Sequence, residues 1–104
     1  MKHGFIKVAA GSPRIAVADV DANASAIRQM ISRANDASVN LLVPPELCLT
    51  GCTCGDLYYS DILTDAAQNA LCELAAFTKG LSPAVVLGLP LKHAGKLYNC
   101  AAVL

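Results

Sequence analysis

Tryptophan is absent from this chain, phenylalanine occurs twice and tyrosine three times, so aromatics supply only 5% of the residues. Its core must therefore be filled by small and branched aliphatic side chains, which suits helices packed closely against a sheet. Charge is equally scarce, at 15% of residues, and eight Lys+Arg balance eight Asp+Glu. A formal net charge of zero with no basic cluster leaves nothing to neutralise phosphates, so neither nucleic acid nor an anionic membrane is expected as a partner. No apolar run approaches the roughly 20 residues of a membrane span. Lys2 and His3 ahead of Phe5-Ile6 mimic the start of a secretory leader, but Lys7 and Arg14 interrupt any apolar segment behind them. Neither G-x-G-x-x-G nor G-x4-G-K-[ST] occurs, so no nucleotide-cradling loop is expected. These absences together lead to the expectation of a cytoplasmic protein.

What is present is apolar: 55% of the 104 residues are hydrophobic. That composition excludes a disordered segment, and the length allows one modest core. Five cysteines, an odd number without secretory context, are expected to be reduced thiols, most of them in the core.

Gly4–Ala10 is an apolar run closed by Gly11-Ser12-Pro13, predicted as strand one. Asp19 or Asp21 can cap a helix that runs to about Ala37, with Val20, Ala24, Ile27, Ile31 and Ala34 on its inner face. Asn40–Val43 is predicted as strand two, stopped by Pro44-Pro45. Residues 46 to 59, with Gly51 and Gly55, have no clean period and are expected to be irregular. A second helix is predicted from Ser60, with Ala67, Ala70, Leu71, Leu74, Phe77 and Thr78 on one stripe and Gly80 as its C-terminal cap. Ala84–Leu89 is strand three, closed by Pro90, and Leu97–Leu104 is strand four after the polar turn Lys92–Lys96. The order β-α-β-α-β-β indicates an α/β architecture whose first strands are parallel, the last two being read as a hairpin. A chain that ends inside an apolar strand is expected to be part of a larger unit, with open sheet edges and one uncovered apolar face.

In α/β sheets chemistry collects at the carboxyl ends of strands, and strand two ends in Pro44-Pro45-Glu46. The chain has only two glutamates. Glu73 reads as a solvated helix residue, whereas a carboxylate at the mouth of an apolar strand needs a partner or a task. General-base catalysis is one such task, and a cap or salt bridge to the following loop is the alternative. Cys48, Cys52 and Cys54 form a C-x3-C-x-C cluster that could gather a soft metal, but paired C-x2-C units are missing and His3 and His93 are distant in sequence. No metal site is expected, and three small buried thiols are the better reading. Cys72 and Cys100 read as core, and His93 as a solvated turn residue. Tyr58-Tyr59 and Tyr98-Asn99 are adjacent pairs whose members face opposite ways in a strand, and ordinary packing is the expectation for all four.

Pro45-Glu46-Leu47-Cys48-Leu49-Thr50-Gly51 resembles the P-E-L-x-L-T-G signature that carries the catalytic glutamate of the nitrilase (carbon-nitrogen hydrolase) superfamily. Cys52-Thr53-Cys54-Gly55-Asp56-Leu57 is similar to the continuation of that signature in the glutaminase domains of glutamine-dependent NAD(+) synthetases. Lys2–Ala10, Gly88–Leu91 and Gly95–Val103 match the same group in the same order, so the resemblance spans residues 1–104. It implies the N-terminal part of a glutaminase domain, one half of an α-β-β-α sandwich. It also implies a Glu-Lys-Cys triad in which cysteine attacks the glutamine amide, glutamate moves protons and lysine stabilises the oxyanion. Only the glutamate carries over, as Glu46; the family's lysine and nucleophilic cysteine lie beyond position 104. None of the five cysteines, nor Lys92 or Lys96, is assigned those roles. At position 52 the family usually has a pocket-lining tyrosine, and here Cys52 takes that substrate-facing place. The resemblance further implies glutamine and deamido-NAD as substrates of the parent, ATP and Mg in a synthetase domain absent from this chain, and a homo-oligomer. The 104 residues alone are expected to be inactive.

Overall fold

The computed structural model describes residues 4–104; Lys2 and His3, at the head of the resemblance, lie outside the described residues. Four strands and two long helices follow one another as β1 (Val8–Ala10), α1 (Val20–Asp36), β2 (Leu41–Val43), α2 (Asp61–Phe77), β3 (Ala84–His93) and β4 (Lys96–Val103). A short 3-10 helix, Gly55–Tyr59, precedes α2. The sheet order is β1-β2-β3-β4, with β1, β2 and β3 parallel and β4 antiparallel to β3. The α/β class, the element order, the parallel pairs and the closing hairpin are those expected.

Helix α1 starts where Asp19 accepts a hydrogen bond from the Ala22 amide at 3.1 Å. It ends in a Schellman-type turn, with Ala37 and Val39 amides returning to the Arg33 and Ala34 carbonyls and Ser38 at φ +58°. Its inner face buries Val20, Ile27, Ile31 and Ala34, and also Asn23, which the apolar pattern did not single out. Helix α2 buries Leu63, Thr64, Ala67, Ala70 and Leu74. Both helices cover one face of the sheet, where they meet Leu42 of β2 and Val85, Leu87 and Leu89 of β3.

Three expectations are corrected. Strand one is shorter than Gly4–Ala10, because the Lys7 amide donates to the side chain of Asn40 (2.8 Å) and not to a strand partner. Strand three does not close at Pro90 but continues to His93. Val85 and Leu104 exchange both main-chain hydrogen bonds, at 3.2 and 2.8 Å, so residues 86, 88, 90 and 92 fall in the non-bonded pairs of the β3–β4 ladder. Pro90 stands opposite Asn99 in such a pair, and its missing N–H points away from β4 without removing a ladder bond. Finally, Cys72 is exposed on α2 and Cys100 only half-buried, so neither is a core thiol. The turn between β3 and β4 is the two-residue loop Ala94-Gly95, both at positive φ (52° and 75°), the backbone that matches strand twist.

Among the described residues no helix lies on the other face of the sheet. Val8, Val43 and Val103 are 60%, 40% and 73% exposed there, an apolar surface with β1 and β4 as its edges. No helix among the described residues is long and apolar enough to cross a membrane.

Ile31 is fully buried where α1 meets the sheet. Ile31→Ala is expected to lower the unfolding free energy by about 2–5 kcal/mol, read from the chemical denaturation midpoint at unchanged slope.

Candidate active site

Beyond Val43 the ladder stops because Pro44 and Pro45 have no N–H to give. Glu46 follows at once, and Leu47 turns the chain back with φ +51°, a conformation that a branched side chain rarely adopts. Such a residue persists only where its surroundings determine it. Here the Leu47 carbonyl accepts from the Gly51 amide (2.7 Å), the Thr50 amide (3.1 Å) and the Thr50 hydroxyl (3.4 Å).

The turn is seated on β3 at Gly88. A methyl group on Gly88 would come within 2.6 Å of the Leu47 nitrogen and 3.2 Å of the Pro45 carbonyl oxygen, so only glycine lets the Pro45–Leu47 main chain lie there. Its carbonyl accepts from the Leu49 amide (3.4 Å) and from the Cys48 thiol (3.6 Å). From the helix side Asn23, fully buried, donates to the carbonyls of Leu49 (3.0 Å) and Ala16 (2.8 Å) and accepts from the Ala16 amide (2.7 Å). The Ala18 amide donates to the Thr50 carbonyl (2.8 Å), the Cys54 thiol donates to the same oxygen (3.1 Å), and the Tyr58 hydroxyl donates to Gly51. Every side of the turn is thus tied to a different element.

The Glu46 carboxylate emerges on the uncovered sheet face, where the Asn99 amide nitrogen of β4 donates to its Oε1. Val43, Pro44, Pro45, Val86, Gly88 and Ala101 wall the shallow groove of about 290 Å³ into which the pair is set. Asn99 was expected only to pack. Its sequence signals were strand alternation, which puts it on the face opposite Tyr98, and its place in the Gly95–Val103 segment of the resemblance. The partner anticipated for Glu46 exists, but it is an amide 53 residues away and not a loop cation.

The C-x3-C-x-C cluster does not act as a unit. Cys48 and Cys54 are buried, whereas Cys52 is exposed, correcting the expectation of three buried thiols. The three sulfurs donate to three separate carbonyls: Cys48 to Gly88, Cys54 to Thr50 and Cys52 to Glu46 at 3.5 Å. Among the described residues no group of three His, Cys, Asp or Glu side chains is placed to hold a metal. Cys52 lies beside Glu46, touching its main-chain oxygen and not its carboxylate. Lys92 is paired with Asp61 at the surface, and His93 is exposed at the end of β3.

A carboxylate at the carboxyl end of a parallel strand, on a turn locked from both sides, stands where open α/β sheets bind their ligands. The carbon-nitrogen hydrolase sequence profile matches residues 7–104, nearly the whole chain. The chain belongs to the carbon-nitrogen hydrolase family. It is similar to the glutamine-dependent NAD(+) synthetases of Mycobacterium tuberculosis and Mycobacterium bovis, each 37% identical over 103 residues. The match takes in 99% of this chain but spans only 15% of the length of those curated relatives. Its fold superposes on the glutamine-dependent NAD(+) synthetase of Cytophaga hutchinsonii with TM-score 0.89 at 33% identity, over 95% of this chain and 17% of the other. A nitrilase-superfamily amidase from Nesterenkonia shares the fold at 20% identity, with TM-score 0.78 over 95% of this chain and 38% of the other. The carbon-nitrogen hydrolase segment described here is therefore a helix-covered sheet of the nitrilase fold that carries the P-E-L-x-L-T-G turn.

Two outcomes follow from how this turn is held. Gly88→Ala is expected to push the Pro45–Leu47 main chain off β3 and to cost about 1–3 kcal/mol of stability, measured by denaturant titration. Burial raises the Cys48 thiol above its ordinary value of 9.0, and burial together with the Cys54 thiol raises Tyr58 above 10.0. Both groups ionise more readily in the unfolded chain, so their contribution is complete below pH 9 and is lost as the pH rises further. Stability is expected to fall from pH 9 upward, and less steeply in Cys48→Ala, as followed by circular dichroism melts.

Proposed function

We propose that this chain is the N-terminal part of the glutaminase domain of a glutamine-dependent NAD(+) synthetase, and that Glu46 is its general base. The observation that carries this is the Pro45–Gly51 turn, in which a carbon-nitrogen hydrolase signature is folded so that the Glu46 carboxylate emerges on the uncovered sheet face beside Asn99. Similarity to synthetases over 99% of the chain supports the narrower assignment.

The chemistry is amide hydrolysis through a thioester. A cysteine sulfur, its proton taken by Glu46, attacks the carboxamide carbon of glutamine and forms a tetrahedral oxyanion. Collapse breaks the C–N bond, and Glu46 returns the proton to the departing nitrogen, releasing ammonia. Water then cleaves the thioester to glutamate and restores the thiol. The nucleophilic cysteine and the oxyanion-stabilising lysine are assigned to the polypeptide beyond position 104; no lysine lines this groove among the described residues, and Lys92 is paired with Asp61. Cys52, next to the Glu46 main chain, is assigned to the substrate-facing wall. Ammonia would serve the amidation of deamido-NAD, and the ATP and Mg of that step would be held by residues outside this segment, which has neither a nucleotide loop nor a metal cluster among its described residues. No step at Glu46 is routed through them. The uncovered apolar face and open edges support assembly with further copies or sheets, and five free thiols support a cytoplasmic setting. A simple amidase of the same superfamily is the second reading, favoured by the shared fold of the Nesterenkonia enzyme.

In the full-length polypeptide, Glu46→Gln is expected to lower glutamine hydrolysis by about 10²–10⁴-fold, followed as glutamate release. The 104-residue chain alone is expected to release none. Retained activity in the variant would remove Glu46 from the mechanism, and hydrolysis of small aliphatic amides in preference to glutamine would favour the simple amidase.

A further inference from the structure

The turn fixes the Glu46 main chain from several directions, yet a glutamate side chain still has three rotatable bonds beyond that anchor. Among the described residues, the carboxylate accepts one side-chain hydrogen bond, from Asn99 to Oε1, and Oε2 accepts none. Resting on the glutaminase reading, we propose that Asn99 is the positioning residue of the Glu46 base: its amide pins Oε1 so that Oε2 is presented for proton transfer.

The placement of Asn99 is built into the sheet. The Ala94-Gly95 loop sets the β3–β4 register and puts Asn99 opposite Pro90 in a non-bonded pair, where facing side chains stand closest. Two positions along β4, Ala101 stands opposite Gly88, the residue on which the Glu46 turn rests. One pair of strands thereby locates both the glutamate main chain and the donor for its carboxylate. A one-residue slip of β4 would bring Tyr98 or Cys100 to this face instead. A neutral amide suits the task, because it orients a carboxylate without adding a counter-charge to a group that must accept a proton. Among the described residues Asn99 is exposed on a strand and fills no part of the core between sheet and helices.

The test uses the full-length polypeptide with glutamine as substrate. Asn99→Leu, similar in shape but without a donor, is expected to lower kcat about 10–100-fold with KM within about twofold of wild type, since loss of orientation acts on the transition state and not on substrate binding. Asn99→Gln keeps the amide donor and is expected to hold kcat within about fivefold of wild type. NAD synthesis driven by added ammonium chloride bypasses the glutaminase site and reports the integrity of the rest of the chain. A KM rise at constant kcat in Asn99→Leu would make Asn99 a substrate contact and overturn the proposal, as would unchanged kinetics. If Asn99→Leu also loses ammonia-driven synthesis, Asn99→Gln decides, with kcat within about fivefold of wild type supporting the proposal and a deeper loss overturning it. A wild-type protein that does not hydrolyse glutamine would overturn the glutaminase reading and this inference together, whereas an active wild type with unaffected variants overturns this inference alone.

Discussion

The main chain of Pro45–Leu47 lies against Gly88 with no space for a side chain between them, and much of the molecule follows from that contact. Because β3 has a bare backbone at this point, a turn leaving β2 can fold back over it rather than continue outward. Leu47 then takes a left-handed conformation that is unfavourable by itself, and the carbonyl of Leu47, the amide of Leu49 and the thiol of Cys48 each find partners that hold it there. Asn23 secures the same turn from α1 and links it to the loop at Ala16. Its three hydrogen bonds satisfy groups that would otherwise be buried without partners, a state costing about 1–3 kcal/mol each.

The two faces of the sheet divide the labour. One is sealed by α1 and α2 with aliphatic side chains that are almost wholly buried, and it supplies the rigidity on which the turn depends. The other carries Glu46 and Asn99 amid exposed valines. An apolar surface of this kind suits a second layer packed on it, so Glu46 and its amide partner sit where such a layer would meet the sheet. Burial there would strengthen the Glu46–Asn99 contact, since hydrogen bonds to charged groups gain as water is excluded.

Pattern and spacing made the helices legible. Asp19 and Asp21 bracketed the start of α1, which the structure caps with Asp19, the apolar periodicity marked both inner faces, and Pro44-Pro45 marked the end of β2, because each depends on local geometry that neighbouring residues impose. Pro90 misled for the same reason: a proline ends a strand only when its missing N–H faces a partner, and which way it faces is set by register with Asn99 on the neighbouring strand. The exposure of Cys72 likewise depended on which side of α2 met the sheet.

For the site, the P-E-L-x-L-T-G run singled out Glu46 from the sequence by itself, since the carboxylate and the turn that presents it are encoded contiguously. Asn99 could not be found that way. Its segment belongs to the family resemblance but carries no assigned role there, and its contact with Glu46 exists only because the hairpin register and the close seat on Gly88 bring two distant segments to one point. The sequence determined the elements and marked Glu46, through local stereochemistry and a contiguous motif. Only the tertiary structure decided what Glu46 touches, because that is settled by strand pairing and by space left at a single glycine.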